Sequence, residues 1–275
     1  MPPWPAPYTS AIALTLDNLG AAQEARLRSL PPDSPEVLND PAITTTLPRI
    51  LALLARHGVR ATYFAESWSL PVYPTAVASL IEGGHEVAWH GYQHEVWSGL
   101  GEGEERENFK RSWEVVEGQD VVRGYQGFRP PGGEVNDRTW ALMKEFEVGY
   151  VSPEGREFGV GKEGVVVLPF EWRAVDAFWY MKKFAGIRKT RGEQEEVAGT
   201  KEFGKWVMGR IKEVAAERGF MTVLFHPFLT DSEEKFALIE EVVRRIAEDE
   251  KIWVAPCREI AEWIKAHPED FGSMG

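Results

Sequence analysis

The sequence predicts an α/β protein in which parallel strands and helices form a barrel, and three observations support this. The chain has 275 residues, a length that suits one large α/β domain. Short apolar runs alternate along it with longer segments of helical periodicity. Several of the short runs are almost continuously apolar, as expected for parallel strands covered on both faces. We therefore expect a (β/α) barrel of about eight strands, with one domain over residues 1–275 and a core at about 10–266.

The predicted strands and helices follow one another in the order expected for such a barrel. The β-prone segments are Ala11–Leu16, Val59–Phe64, Glu86–His90, Tyr125–Arg129, Val148–Ser152, Val165–Phe170, Met221–His226 and Ile252–Ala255. The helical patterns include Leu47–His57, Pro74–Ile81, Asp137–Glu145, Lys201–Arg218 and Glu233–Glu248. Gly58 and Gly219 follow two of these patterns and are predicted C-caps. A doubly wound open sheet is the alternative, although no G-x-G-x-x-G follows the first strand.

Two stretches interrupt this alternation and are predicted to be surface insertions. They are Gly20–Asp40, after the first strand, and the charged run Ile187–Lys201. Each is interpreted either as a solvated loop or as a lid over the mouth of the barrel.

Composition and charge argue against several classes of partner. The net charge is −12 and the sequence pI is about 5.1, which argues against nucleic acid and anionic membranes as partners. The single cysteine, Cys257, cannot form an internal disulfide. The opening residues MPPWPAPYTS lack the basic and apolar regions of a secretory signal. We therefore expect a cytoplasmic protein.

Polar residues lie at or shortly after the C-terminal ends of five of the predicted strands. Because such positions meet at one end of a parallel barrel, we expect them to form a site. These residues are Asp17 and Asn18, His90 and His94, Arg129, Asp176, and His226. His90 and His94 are four positions apart, so on one helical turn both imidazoles would point the same way and suit a divalent metal such as zinc. No site role is assigned to His57, His85 or His267.

Four segments, taken in order, resemble the polysaccharide deacetylase (NodB homology) family. They are T-L-D-N at 15–18, H-G-Y-Q-H at 90–94, R-P-P-G-G at 129–133 and L-F-H-P at 224–227. The stretches R-A-T-Y-F at 60–64 and G-G-H-E-V at 83–87 are also similar to that family. The resemblance spans roughly residues 10–260.

This resemblance implies a distorted (β/α) barrel of seven or eight strands that hydrolyses amide bonds, usually by removing acetyl groups from amino sugars. It implies Asp17 as the general base, and His90 and His94 as ligands of a divalent metal, with zinc expected. Arg129 would keep Asp17 ionised and oriented. His226 would be the general acid that protonates the departing amine.

The resemblance also implies supporting residues around this centre. Asp176 matches only by position and would support Arg129 or a site histidine. The backbone N–H of Gly132 would help to bind the oxyanion, in a pocket made wider by the missing side chain. The predicted pocket walls are Pro131, Trp68, Trp172 and Phe228.

Asn18 departs from the family, which has an aspartate as the anionic metal ligand at this position. An amide oxygen can bind a cation but brings no negative charge. Three interpretations stay open. Asn18 binds a metal weakly with the two histidines, or Asp17 becomes a ligand and leaves the base role to another group, or the site works without metal.

Three functions are compatible with these residues. The first is a deacetylase-like hydrolase of carbon–nitrogen bonds other than peptide bonds, acting on a saccharide or a small-molecule amide. The second is an intracellular hydrolase of cyclic amides, imides or ureides, because E-W-R-A-V-D-A at 171–177 resembles allantoinase-type relatives. The third is a metal-free binding module without catalysis, which the presence of Asp17, Arg129 and His226 argues against.

Overall fold

A sheet of nine strands curls into an open barrel, with most of the helices on its outer side. The computed structural model describes residues 3–118, 122 and 124–272. The strands are β1 (Ser10–Asp17), β2 (Thr62–Ala65), β3 (Glu86–Trp89), β4 (Gly127–Phe128), β5 (Tyr150–Val151), β6 (Gly159–Val160), β7 (Val166–Val167), β8 (Phe220–Phe225) and β9 (Ile252–Val254). All eight predicted strands are present, and β6 is an addition.

β1 pairs with three strands, β2, β8 and β9, and it is buried along its whole length. The strand order is β6-β7-β5-β4-β3-β2-β1-β8, and all of the pairings are parallel except that of β6 with β7. On its second edge, β1 pairs with β9 over Ser10–Ile12 and with β2 over Thr15–Asp17. The predicted distorted (β/α) barrel is therefore confirmed, and the open doubly wound sheet is not observed.

The helices that follow the strands match the predicted patterns closely. The α-helices are α1 (Ala22–Arg28), α2 (Pro35–Leu38), α3 (Leu47–His57), α4 (Ser69–Val72), α5 (Pro74–Glu82), α6 (Glu102–Glu117), α7 (Asp137–Glu145), α8 (Asp176–Tyr180), α9 (Ala185–Thr190), α10 (Thr200–Glu217), α11 (Glu233–Ala247) and α12 (Cys257–Ala266). A π-helical turn, Ala42–Thr46, leads into α3, and single 3₁₀ turns occur at Trp97–Gly99, Lys162–Gly164, Trp172–Ala174, Lys182–Phe184, Pro227–Leu229 and Pro268–Asp270. No helix among the described residues is long and apolar enough to cross a membrane.

The helix ends show one difference from the prediction. Gly58 ends α3 in the left-handed conformation with φ 63°, as its glycine predicts. At the end of α10, Arg218 and not Gly219 takes the left-handed conformation, with φ 60°. Gly219 then leads directly into β8, where its carbonyl accepts a hydrogen bond from the backbone N–H of Ala11.

The two insertions differ in what they contribute to the site. Residues 20–40 contain α1 and α2, and Gln23 of α1 reaches the mouth of the barrel. The charged run 187–201 begins within α9, whose Ile187 also lies at the mouth. Met181, Lys183 and Phe184, which precede this run, also line the cavity, so the two interpretations of the run as loop or lid stay predictions.

His85 is buried at the end of the barrel opposite to the predicted site, just before β3. Its Nδ1 accepts a hydrogen bond of 3.0 Å from the backbone N–H of Ala61. Burial, together with the positive charge of Arg60, lowers the pKa of His85. The folded protein therefore holds this imidazole in its neutral form.

This burial predicts an acid-sensitive contribution to stability. Below the unfolded-state pKa of about 6.5, the unfolded chain binds a proton that folded His85 does not, so stability falls as the pH falls below about 6.5. In the wild type, the free energy of unfolding should fall by up to about 1.4 kcal/mol per pH unit as the pH drops. We expect His85→Asn, which keeps an acceptor for Ala61 but does not bind a proton, to abolish this fall. Urea unfolding of both proteins at pH 5 to 8 measures this difference. A constant difference across that range would contradict it.

Candidate active site

Asp17 and Arg129 form a buried ion pair at the mouth of the barrel. Asp17 is the last residue of β1, and Arg129 directly follows β4. Nη1 of Arg129 lies 2.7 Å from Oδ1 of Asp17 and also donates to the hydroxyl of Thr15 at 2.9 Å. Nε and Nη2 both donate to Ser152, and the guanidinium lies 4.0 Å above the ring of Phe64. The arginine therefore has one position, and it fixes one oxygen of Asp17.

His226 and Asp176 form a second buried pair at the same mouth. Nδ1 of His226 lies 2.5 Å from Oδ1 of Asp176, and the backbone N–H of His226 donates to Oδ2 at 2.7 Å. Because a carboxylate only accepts hydrogen bonds, Nδ1 is the donor, and Nε2 is left for other partners. Asp176 thus supports a site histidine, one of the two roles considered for it, and it has no contact with Arg129.

His90 and His94 meet through a tight turn and not on a helical turn as expected. Gly91 and His94 both have positive φ, 80° and 56°, which bends the chain back on itself. The two ring centroids lie 4.9 Å apart with their planes at 73°. Nδ1 of His90 donates to the carbonyl of Arg129 at 2.7 Å, which leaves its Nε2 unprotonated in the neutral ring. Burial lowers the pKa of His90 to about 3 and also lowers the pKa of His94.

Glu66 is a site residue that the sequence analysis missed. It directly follows β2, and its side chain is fully buried. Oε1 accepts from Nδ2 of Asn18 at 2.7 Å, and Oε2 accepts from the backbone N–H of Leu19 at 2.9 Å. Burial raises the pKa of Glu66 to about 8, against the opposite effect of these hydrogen bonds. The rule that identified the other candidates, a polar residue at a strand end, also applies to Glu66.

A divalent metal fits the donors that these residues offer. Donor atoms of Glu66, His90 and His94 all lie within 4.8 Å of one another, and this is the one such group among the described residues. Two imidazoles and a carboxylate are a ligand set that zinc accepts. Oδ2 of Asp17 lies 3.7 Å from Nε2 of His90, so the second carboxylate is adjacent to the group.

Asp17, Arg129 and His226 line one cavity of about 290 Å³ together with His90 and His94, whereas Asp176 lies behind His226 and is not part of the lining. The polar lining residues are Asp17, Asn18, Gln23, His90, His94, Arg129, Lys183 and His226. The remaining wall is mostly apolar and comprises Val96, Pro130, Pro131, Gly132, Phe170, Trp172, Val175, Ala177, Met181, Phe184, Ile187, Leu224 and Phe228. The predicted wall residues Pro131, Trp172 and Phe228 are among them.

Trp68 does not line this cavity, although it follows a predicted strand end. Its backbone N–H donates to the carbonyl of Tyr92, and its half-buried side chain packs against the hydrophobic core. The chain turns into α4 at this point, which carries the indole away from the mouth. Gly132 does lie in the lining. Its φ of 93° suits glycine, and a Cβ there would meet nothing within 4 Å, so the missing side chain leaves open space.

Comparisons with known proteins agree with this fold. The family model described as polysaccharide deacetylase matches residues 31–151. A peptidoglycan-N-acetylglucosamine deacetylase of Bacillus cereus is 30% identical over 105 residues, which is 37% of this chain and 37% of that protein. The chain thus matches little more than a third of the length of this curated relative.

Two solved structures match almost the whole chain. A Mycobacterium smegmatis protein assigned as a polysaccharide deacetylase has a TM-score of 0.80 at 26% identity, over 99% of this chain and 95% of that one. Puue allantoinase has a TM-score of 0.78 at 17% identity, over 97% and 94% of the two chains, which shows a shared fold alone. The resemblance to the polysaccharide deacetylase family is confirmed by these matches.

The buried ion pair predicts a large loss of stability when only one partner is removed. Arg129→Met leaves the Asp17 carboxylate buried without its cation, so we expect the free energy of unfolding to fall by about 3–5 kcal/mol. The double variant Asp17→Asn, Arg129→Met should lose less than the sum of the single losses. Urea unfolding of the four proteins measures this coupling, and strictly additive losses would contradict it.

Proposed function

We propose that this chain, with the fold and sequence signature of the polysaccharide deacetylase family, hydrolyses carbon–nitrogen bonds other than peptide bonds. It removes an acyl group from an N-acylated amine or amino sugar. The observation that supports this most strongly is the pairing of Asp17 with Arg129 and of His226 with Asp176 around one cavity. Each pair fixes one acid–base group and leaves it one atom for chemistry.

Asp17 is the general base in this proposal. Arg129 holds Oδ1, so Oδ2 is the oxygen that accepts a proton from the attacking water. A divalent metal held by His90 and His94, with zinc expected, would when bound polarise the carbonyl and activate the water.

His226 is the general acid. Asp176 accepts the hydrogen bond of Nδ1 and orients the ring, so Nε2 delivers the proton to the departing amine. The backbone N–H of Gly132, in the stretch after Arg129, contributes a hydrogen bond to the developing oxyanion. Pro131, Trp172 and Phe228 contact the rest of the substrate.

The cavity itself supports a second candidate, a hydrolase of cyclic amides, imides or ureides. Its volume of about 290 Å³ lies at the small end of the range for ligand sites, and Met181, Phe184 and Ile187 are among its apolar lining residues. A small ring fits a small, mostly apolar space better than a polymer does. The cytoplasmic location stays a prediction, and it would agree with a small substrate. The single domain over residues 1–275 is a separate prediction.

The base assignment is tested by Asp17→Asn. We expect hydrolysis to fall about 100- to 10,000-fold, since general-base steps contribute that much. Acetate or amine release is measured on a panel of N-acetylated sugars, N-acylated amines and cyclic imides. Asp137→Asn, an exposed carboxylate in α7, is the matched control and should keep the wild-type rate. An Asp17→Asn protein as active as the control would refute the assignment.

The acid assignment predicts a distinct effect of Asp176→Asn. Without the carboxylate, His226 loses the acceptor that fixes its orientation and tautomer, so kcat should fall about 10⁴-fold, as for the equivalent change in a Ser-His-Asp triad. Binding of zinc should stay within tenfold of wild type, because Asp176 contacts none of the candidate ligands. Equal losses of turnover and zinc affinity would show that the variant disturbs the whole site.

A further inference from the structure

Glu66 is a buried carboxylate without a cation to balance it. Its side-chain carboxylate accepts hydrogen bonds from the amide of Asn18 and the backbone N–H of Leu19. No lysine or arginine among the described residues forms an ion pair with it. Its side chain is fully buried. Burying an ionised carboxylate without a cation is costly, whereas a metal ion in the same place would balance the charge.

Asn18 and Glu66 form an amide–carboxylate pair in which the two residue types depend on each other. Nδ2 of Asn18 lies 2.7 Å from Oε1 of Glu66, a distance at which two carboxylates would repel each other. An amide at position 18 is therefore compatible with a carboxylate at position 66, whereas a second carboxylate there is not. Each hydrogen bond to Glu66 uses one lone pair, so its two oxygens keep capacity for a metal.

The two histidines near Glu66 are oriented by other parts of the chain. The carbonyl of Arg129 fixes the ring of His90 through Nδ1. Nε2 of Gln23 lies 2.8 Å from Nδ1 of His94, and exchanging the amide nitrogen and oxygen by a half-turn would give this ring an acceptor for Nδ1 and leave Nε2 for a metal. Donation from the second ring nitrogen to an oxygen, as His90 shows, is typical of metal ligands. Glu66 brings its carboxylate to within 4.8 Å of both rings.

We propose that Glu66 supplies the anionic ligand of a divalent metal site with His90 and His94, in place of residue 18. Asn18 then acts as a positioning residue, which holds the Glu66 carboxylate through its amide. This inference rests on the metal named in the proposed function, and it assigns the negative charge of that site to the end of β2 and not to the end of β1. Asp17 stays free of the metal and available as a base.

The test is the affinity of the protein for Zn²⁺, measured by calorimetric titration after chelator treatment, with the visible absorption of Co²⁺ as a second readout. We expect Glu66→Gln to weaken Zn²⁺ binding by more than about 100-fold. Loss of a residue that only supports a metal ligand costs up to about 100-fold, so a larger effect indicates a ligand. Asn18→Ala should weaken it by no more than about tenfold. The double variant Asn18→Asp, Glu66→Gln exchanges amide and carboxylate and should recover at least tenfold over Glu66→Gln.

Glu86→Gln is the matched control, because Glu86 is also a buried carboxylate but lies at the start of β3, away from the histidines. It should bind Zn²⁺ as the wild type does. Wild-type affinity in Glu66→Gln, a larger loss in Asn18→Ala than in Glu66→Gln, or no Zn²⁺ binding by the wild type would each overturn the inference. If Glu66→Gln fails to fold, the double variant Asn18→Asp, Glu66→Gln provides the test. Failure of that variant to bind Zn²⁺ would then overturn the inference. A protein that binds Zn²⁺ through Glu66 but hydrolyses no amide fails the proposed function alone.

Discussion

The buried contact between Arg129 and Asp17 is the constraint on which the rest of the site depends. It joins the ends of β4 and β1 across the mouth of the barrel, and Thr15, Ser152 and Phe64 hold the guanidinium in place. The carbonyl of Arg129 also accepts the hydrogen bond that orients His90. One residue thus fixes the orientation of both the proposed base and a proposed metal ligand. The aromatic contacts let a buried cation exist at this point without further acidic partners.

Two residues of the site have a strained backbone, one in the turn after β1 and one in the turn after β3. Asn18 and His94 both have left-handed backbone conformations, with φ 63° and 56°, and both face the cavity. Asparagine tolerates this conformation better than most residues. Glu66 closes the Asn18 turn through the side-chain amide and the N–H of Leu19. The two strained residues therefore stand where β1, β2 and the turn after β3 converge, which is typical of a functional site.

Much of the fold follows from the sequence, because burial on both faces of a parallel strand leaves a continuous apolar run. The eight predicted strands and five predicted helices are present, with boundaries that differ by a few residues. β4, β5 and β7 are only two residues long, since the barrel is distorted there and few backbone pairs stay in register. No apolar run distinguishes β6, which is why it was not predicted.

The site was predictable wherever a side chain leaves a strand end, and unpredictable where it depends on loops. Asp17, His90, Arg129 and His226 were identified in this way, and they share one cavity. Glu66 was missed because the strand was predicted to end at Phe64, two residues before it, whereas β2 runs to Ala65. Residues of the segment 181–187 line the cavity and Trp68 does not. Both facts follow from tertiary packing, which leaves no periodic signal in the sequence.

The central claim is that a metal lies between Glu66 and the two histidines while Asp17 stays free as the base. Anomalous diffraction at the zinc absorption edge, from crystals grown with Zn²⁺, tests it most directly. We expect one anomalous peak within bonding distance of Glu66, His90 and His94, and not of Asp17. A peak bonded to Asp17 or Asn18 without Glu66, or no peak in the cavity, would contradict it.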